Sequence, residues 1–116
     1  MSNFLYLFRG GDDAFDKLSQ EEKQAHMEVW GAWMGGLKEK GKLLDGLPLG
    51  KDGKVVSNKG EVVTNGPFAE GAEMVGGYLI VSAKDYDEAV EISKGCPIFD
   101  YEGSFVEVRE ILSMEH

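Results

Sequence analysis

"NFLYLFR", residues 3–9, is apolar on both of its alternating sets: Phe4, Tyr6 and Phe8 point one way, Leu5 and Leu7 the other. A strand with one wet face alternates apolar with polar, whereas one that is apolar on both sides is covered on both faces. Residues 3–9 therefore read as a central strand, ended by Gly10-Gly11-Asp12-Asp13.

Working outward, Ser19 followed by Glu22 spells a capping box and opens a long helix over about 19–41, stopped by Gly41. Residues 42–49 read as a second strand that Pro48 keeps away from the sheet centre. Residues 54–57 and 61–64, separated by Asn58-Lys59-Gly60, form a small hairpin. Residues 77–83 are the next strand, and Asp85 with Glu88 repeats the capping pattern. The helix it opens presents Tyr86, Ala89, Val90 and Ser93 on one face and ends at Gly95 and Pro97; residues 104–111 close the chain as a strand. With the hairpin set aside, the order is β-α-β twice over. That is the split arrangement of an α+β, ferredoxin-like βαββαβ subunit, with both helices on one face of an antiparallel sheet. The other face is left bare although residues 3–9 are apolar on it, so a second copy is expected to cover it, giving a homodimer with room for a higher assembly.

At 116 residues the chain is expected to be one domain, residues 1–116. It is 42% hydrophobic and 28% charged, in short apolar bursts, which fits neither disorder nor a coiled coil. A net charge of -9 repels phosphate backbones and anionic lipid, so neither nucleic acid nor a membrane is expected as a partner. One cysteine, Cys96, permits no internal disulfide, and no run resembles a signal peptide or membrane span; a cytoplasmic protein is expected.

His26, Trp30, Trp33 and Leu37 follow at spacings of four, three and four, one stripe of the long helix facing the sheet or a pocket wall. His26 beside two indoles suits a general acid/base in a partly dry cleft; the bland alternative is a core-edge histidine bonded to a carbonyl. Trp30 reads as core or pocket rim. Arg9 can hold a carboxylate or enolate-like oxygen in a bidentate contact, or pair with Asp12 or Asp13. Asn65 offers a donor to an oxyanion, or is simply the turn residue before Gly66. Phe68 plugs the core beneath that loop and, with Arg9, Trp30 and Asn65, completes the candidate substrate-binding set. Gly76 and Gly77 signal a bulge or a close backbone approach. No cluster with metal-ligand spacing and no phosphate loop stands out, so neither metal nor cofactor is expected.

Asn65-Gly66-Pro67-Phe68-Ala69-Glu70, Gly76-Gly77-Tyr78, Asp87-Glu88-Ala89, Cys96-Pro97 and Gly103 to Arg109 follow one another in an order that resembles the YCII-related family, in its DGPF-signature branch. The resemblance covers nearly the whole chain. It implies a dimeric α/β-barrel built on a ferredoxin-like subunit, with a cleft beside the first helix and a histidine–aspartate pair in it. The histidine maps onto His26. The signature aspartate is Asn65 here, and the residue before Pro97 is Cys96, so Asp45 on the second strand is the substitute if it points inward. The expectation is a small cofactor-independent enzyme or enzyme-like protein that holds a small metabolite, aromatic or lactone-like by analogy, with His26 as acid/base. The alternative is a non-catalytic dimeric metabolite-binding or regulatory module.

Overall fold

β1 (Ser2–Arg9) runs between two antiparallel neighbours, as a strand apolar on both faces should. The computed structural model describes residues 1–10, 12–50, 52–66 and 74–113. Along these the order is β1, α1 (Asp12–Asp16), α2 (Gln20–Glu39), β2 (Leu43–Pro48), β3 (Gly53–Ser57), β4 (Val62–Gly66), β5 (Val75–Ala83), α3 (Tyr86–Ser93) and β6 (Phe105–Ile111). β2, β5, β1 and β6 lie side by side in that order in one sheet, while β3 and β4 form a separate two-stranded hairpin. This is the ferredoxin-like α+β subunit with an added hairpin. Among the described residues no helix is long and apolar enough to cross a membrane.

Sequence chemistry sets the long helix at both ends. The Ser19 hydroxyl accepts from the Glu22 amide, and the Glu22 carboxylate accepts in return from the Ser19 amide. Those two bonds satisfy donors that a helix start otherwise leaves orphaned, and they hold the Glu22 carboxyl below its ordinary value. At the other end Gly41 takes φ +72°, and the Lys42 amide reaches back 2.9 Å to the Leu37 carbonyl. That left-handed step turns the chain into β2 at no cost only because residue 41 has no Cβ.

The core lies between the sheet and the helices. Phe4, Tyr6 and Phe8 sit opposite Val81, Leu79 and Gly77 of β5, and Tyr6 and Phe8 opposite Val108 and Val106 of β6. Phe4, Tyr6 and Val81 are the largest wholly enclosed side chains, each contributing about 1.5–3 kcal/mol by leaving water. Tyr6 closes its hydrogen-bond account by donating to the Ala89 carbonyl of α3.

Two features differ from expectation. The five-residue α1 stands between β1 and the long helix, where the sequence reading assigns no element, and carries Phe15. On α3, Ala89 and Ser93 are buried but Tyr86 and Val90 are exposed. The N-cap at Asp85 fixes the helix phase so that the small side chains make the close approach to the sheet. Tyr86 stands at the flank instead, its ring edge-on to Phe4 at 4.9 Å and its hydroxyl accepting from the Glu110 amide of the edge strand at 2.8 Å.

Away from the helices the sheet shows Leu5, Leu7, Tyr78 and Ile80, partly exposed, with Leu47, Phe105 and Ile111 open at the margins.

Candidate functional site

Glycines hollow the sheet under the first half of α2. On the helix-facing side, the row through Phe8 continues into Gly77 and Pro48, and the row through Tyr6 continues into Leu79 and Gly46. Two of these positions carry no side chain. A Cβ at Gly46 would stand 2.1 Å from Leu79 Cδ2 and 2.7 Å from the Tyr78 carbonyl; at Gly77 it would meet the Leu47 carbonyl at 3.2 Å. The pairing of Phe8 with Gly77 and of Arg9 with Val75 leaves Gly76 as an extra residue, a bulge that bends β5 at this spot. The Gly-Gly pair before the apolar strand thus shapes a cavity floor.

Above that floor is a cavity of about 260 Å³, open on one side. Phe8, Phe15, Trp30 and Met34 supply apolar walls, and His26 and Tyr101 bring polar atoms. No charged side chain of the described residues lines it. Phe8 and Trp30 meet edge to face at 5.1 Å and 89°, and Trp30 meets Trp33 the same way at 5.9 Å and 82°. Such pairs hold each ring in one orientation and contribute about 0.5–1.5 kcal/mol beyond area burial.

His26 lies one turn before Trp30, and the indole Nε1–H donates to His26 Nε2 at 2.6 Å. An imidazole nitrogen that accepts carries no proton, so the ring is neutral with its hydrogen on Nδ1 while this bond stands. No described residue accepts from Nδ1. His26 is therefore presented as a proton donor through Nδ1, and acts as a base through Nε2 only when Trp30 lets go.

Tyr101 lies 4.8 Å from His26, ring centre to ring centre. It follows a single 3-10 turn, Pro97–Asp100, whose Pro97 and Ile98 are buried. The Tyr101 amide donates to the Ile98 carbonyl at 3.1 Å, and Ser104 Oγ stands 2.5 Å from the carbonyl of Ile98 and 2.7 Å from that of Tyr101. The backbone under the ring is pinned, yet the phenol oxygen is shut off from solvent with no hydrogen-bond partner among the described residues. Burial, with the Asp100 charge second, pushes this phenol above its ordinary value, so it stays protonated.

The family profile of the YCII-related domain matches residues 7–115. The chain belongs to the YCII-related family. No curated protein matches it in sequence. Among solved structures it is similar to 5-chloro-2-hydroxyhydroquinone dehydrochlorinase (TftG) from Burkholderia phenoliruptrix AC1100 in complex with 2,5-dihydroxybenzoquinone, at 18% identity and a TM-score of 0.50, over 90% of each chain. At that identity the likeness establishes a shared fold.

In this YCII-related chain the sequence candidates separate. His26 and Trp30 are together at the cavity. Arg9 is on the far side of the sheet, where Nε and a terminal nitrogen each reach Glu107 Oε1 at 3.0 Å. Asn65 is exposed on the hairpin, its side-chain oxygen taken by Lys54. Phe68 lies outside the described residues. Asp45 points away from His26: β2 slips register between Leu43 and Asp45, which sets Asp45 beside Ile80 on the bare face, its carboxylate accepting from the Gly46 amide at 2.8 Å. Cys96 is buried, and burial pushes its thiol up to about 12, so it is not a nucleophile at neutral pH. Among the described residues no group of three His, Cys, Asp or Glu side chains has metal-holding geometry. Sequence reasoning missed Phe15 and Tyr101, which stand in a five-residue helix and just after a single 3-10 turn, both too short for periodicity to point inward.

Proposed function

We propose that the cavity between α2 and the sheet binds a small, flat, largely apolar ring metabolite, and that His26 exchanges a proton with it. The observation that carries this reading is the His26 imidazole in an uncharged, aromatic-walled hollow, its tautomer set by Trp30. Isomerisation, dehydration or elimination at an activated ring needs one proton taken and one given; His26 gives through Nδ1–H and takes through Nε2 once Trp30 releases it, and none of these reactions needs a cofactor. By fold analogy, the likeness to a dehydrochlorinase whose structure holds 2,5-dihydroxybenzoquinone supports a ring substrate.

One observation favours the second reading, a metabolite-binding module: no carboxylate of the described residues lines the cavity to orient His26. Exchange of the α-protons of a small aromatic ketone, 1-indanone, followed by NMR in heavy water, separates the two. An enzyme speeds exchange over buffer and loses this in His26→Ala. A binding module shifts the Trp30 indole resonance on adding the ketone and leaves exchange at the buffer rate. No shift at Trp30 at all would sink both.

We also propose that two copies pack through the bare sheet face, as in a dimeric α/β-barrel of the DGPF-type branch. Leu5, Leu7, Tyr78 and Ile80 support this, being apolar and only partly exposed on that face. The lone, buried Cys96 supports a reducing, cytoplasmic setting.

A further inference from the structure

The Tyr101 hydroxyl is a polar group at the cavity that no described residue answers. It is enclosed, without a partner among the described residues, and carried on a backbone held by the Ile98 carbonyl and Ser104. Buried hydroxyls are nearly always paired, and an exception calls for an explanation. A bridging water is a poor one, because it needs several polar partners and these walls are almost wholly apolar. A ligand that brings its own oxygen is a better one. Tyr101 and His26 line the same cavity with ring centres 4.8 Å apart, so a ligand seated there meets both side chains.

We propose that Tyr101 is a ligand-binding residue that donates to a carbonyl or hydroxyl oxygen on the bound ring, and so selects oxygenated rings over hydrocarbons of the same outline. This rests on the cavity being the ligand site, and it adds the chemical class of the ligand. The energetic logic is that of buried polar selectivity: a ligand without the oxygen leaves the hydroxyl unpaired, as in the empty cavity, while a ligand with it satisfies a donor that was already dehydrated and fixed.

The test titrates the full chain and Tyr101→Phe with 1-indanone and with indane, the same bicycle without the oxygen, by calorimetry. The substitution keeps the ring packed on His26 and deletes only the hydroxyl. The expected result is that 1-indanone binding weakens about three- to tenfold while indane binding is unchanged or tightens. The unliganded variant should melt no lower than the parent protein, because no internal hydrogen bond is lost. Equal weakening of both probes, unchanged 1-indanone binding, or a lower melting temperature would each overturn the assignment. If 1-indanone binds and exchanges its protons through His26 but ignores Tyr101→Phe, only Tyr101 falls and the cavity reading stands. Binding of neither probe to the parent protein removes both.

Discussion

Trp30 Nε1 and His26 Nε2 face each other at 2.6 Å one helical turn apart, and this bond decides which imidazole nitrogen bears the proton. At a spacing of four, helical residues meet without help from the rest of the fold, so the arrangement is built into the sequence of α2. Proton-detected nitrogen NMR of the imidazole should show the hydrogen on Nδ1. In Trp30→Phe, Nε2 loses its donor, the tautomer should shift toward Nε2–H, and the helix should lose about 0.5–1.5 kcal/mol of hydrogen-bond stability on top of any packing loss. A tautomer indifferent to that change would mean that the pair does not exist in solution.

Glycines of this chain should answer substitution in opposite directions. Gly46 is packed against buried Leu79, so Gly46→Ala should destabilise the protein by about 1–3 kcal/mol in urea unfolding. Gly31 and Gly35 lie exposed on α2 with nothing within 4 Å of an added Cβ. Alanine there should stabilise by about 0.5–1 kcal/mol, since it removes backbone freedom from the unfolded chain. Equal effects at Gly46 and Gly31 would contradict the close approach of β2 to β5.

The reach of sequence reasoning follows from this distinction between local and long-range causes. The central strand, the capping box and the His26–Trp30–Trp33–Leu37 stripe depend on periodicity within one element, and each is legible in the chain. Asp45 was not. Regular alternation puts it on the same face as Leu43, but the slip between them reverses the face, and that slip depends on Gly46 fitting against Leu79, a contact made across strands. Tyr101 was equally silent, because its place beside His26 comes from how the turn before β6 folds back over α2 and not from its neighbours in sequence.

Stability should decline at high pH, and the sign follows from two buried acids. Burial raises the Cys96 thiol from 9.0 to about 12, and it raises the Tyr6 phenol as well, with Cys96 and Glu88 adding to the effect. Folding thus favours the protonated forms, so this stability is fully present below the unfolded values and is lost as pH rises through the folded ones. For Cys96 the melting temperature should fall progressively between pH 9.0 and about 12, and Cys96→Ala should flatten part of that slope. At about pH 8 the native thiolate is on the order of one molecule in ten thousand, so iodoacetamide should label Cys96 only as fast as the protein opens. Rapid labelling of the native protein would refute the burial.

The bare face of the sheet provides the last prediction. Leu5, Leu7, Tyr78 and Ile80 lie together there, and a face of this kind on a small chain is either wet at a cost or covered. Under the proposed two-fold packing an identical surface would cover it, and the Arg9–Glu107 pair at its margin keeps the two charges satisfied within one copy. Light scattering at micromolar concentration should therefore give twice the 12.7 kDa of one chain. Ile80→Glu places an unpaired carboxylate in the middle of that contact, where leaving water costs several kcal/mol, but on the single copy it is a substitution at a partly solvated strand position. The variant should fold with the same far-ultraviolet circular dichroism and scatter as one chain. A parent protein that scatters as a single 12.7 kDa species would end the two-fold reading and leave the apolar face to some other cover.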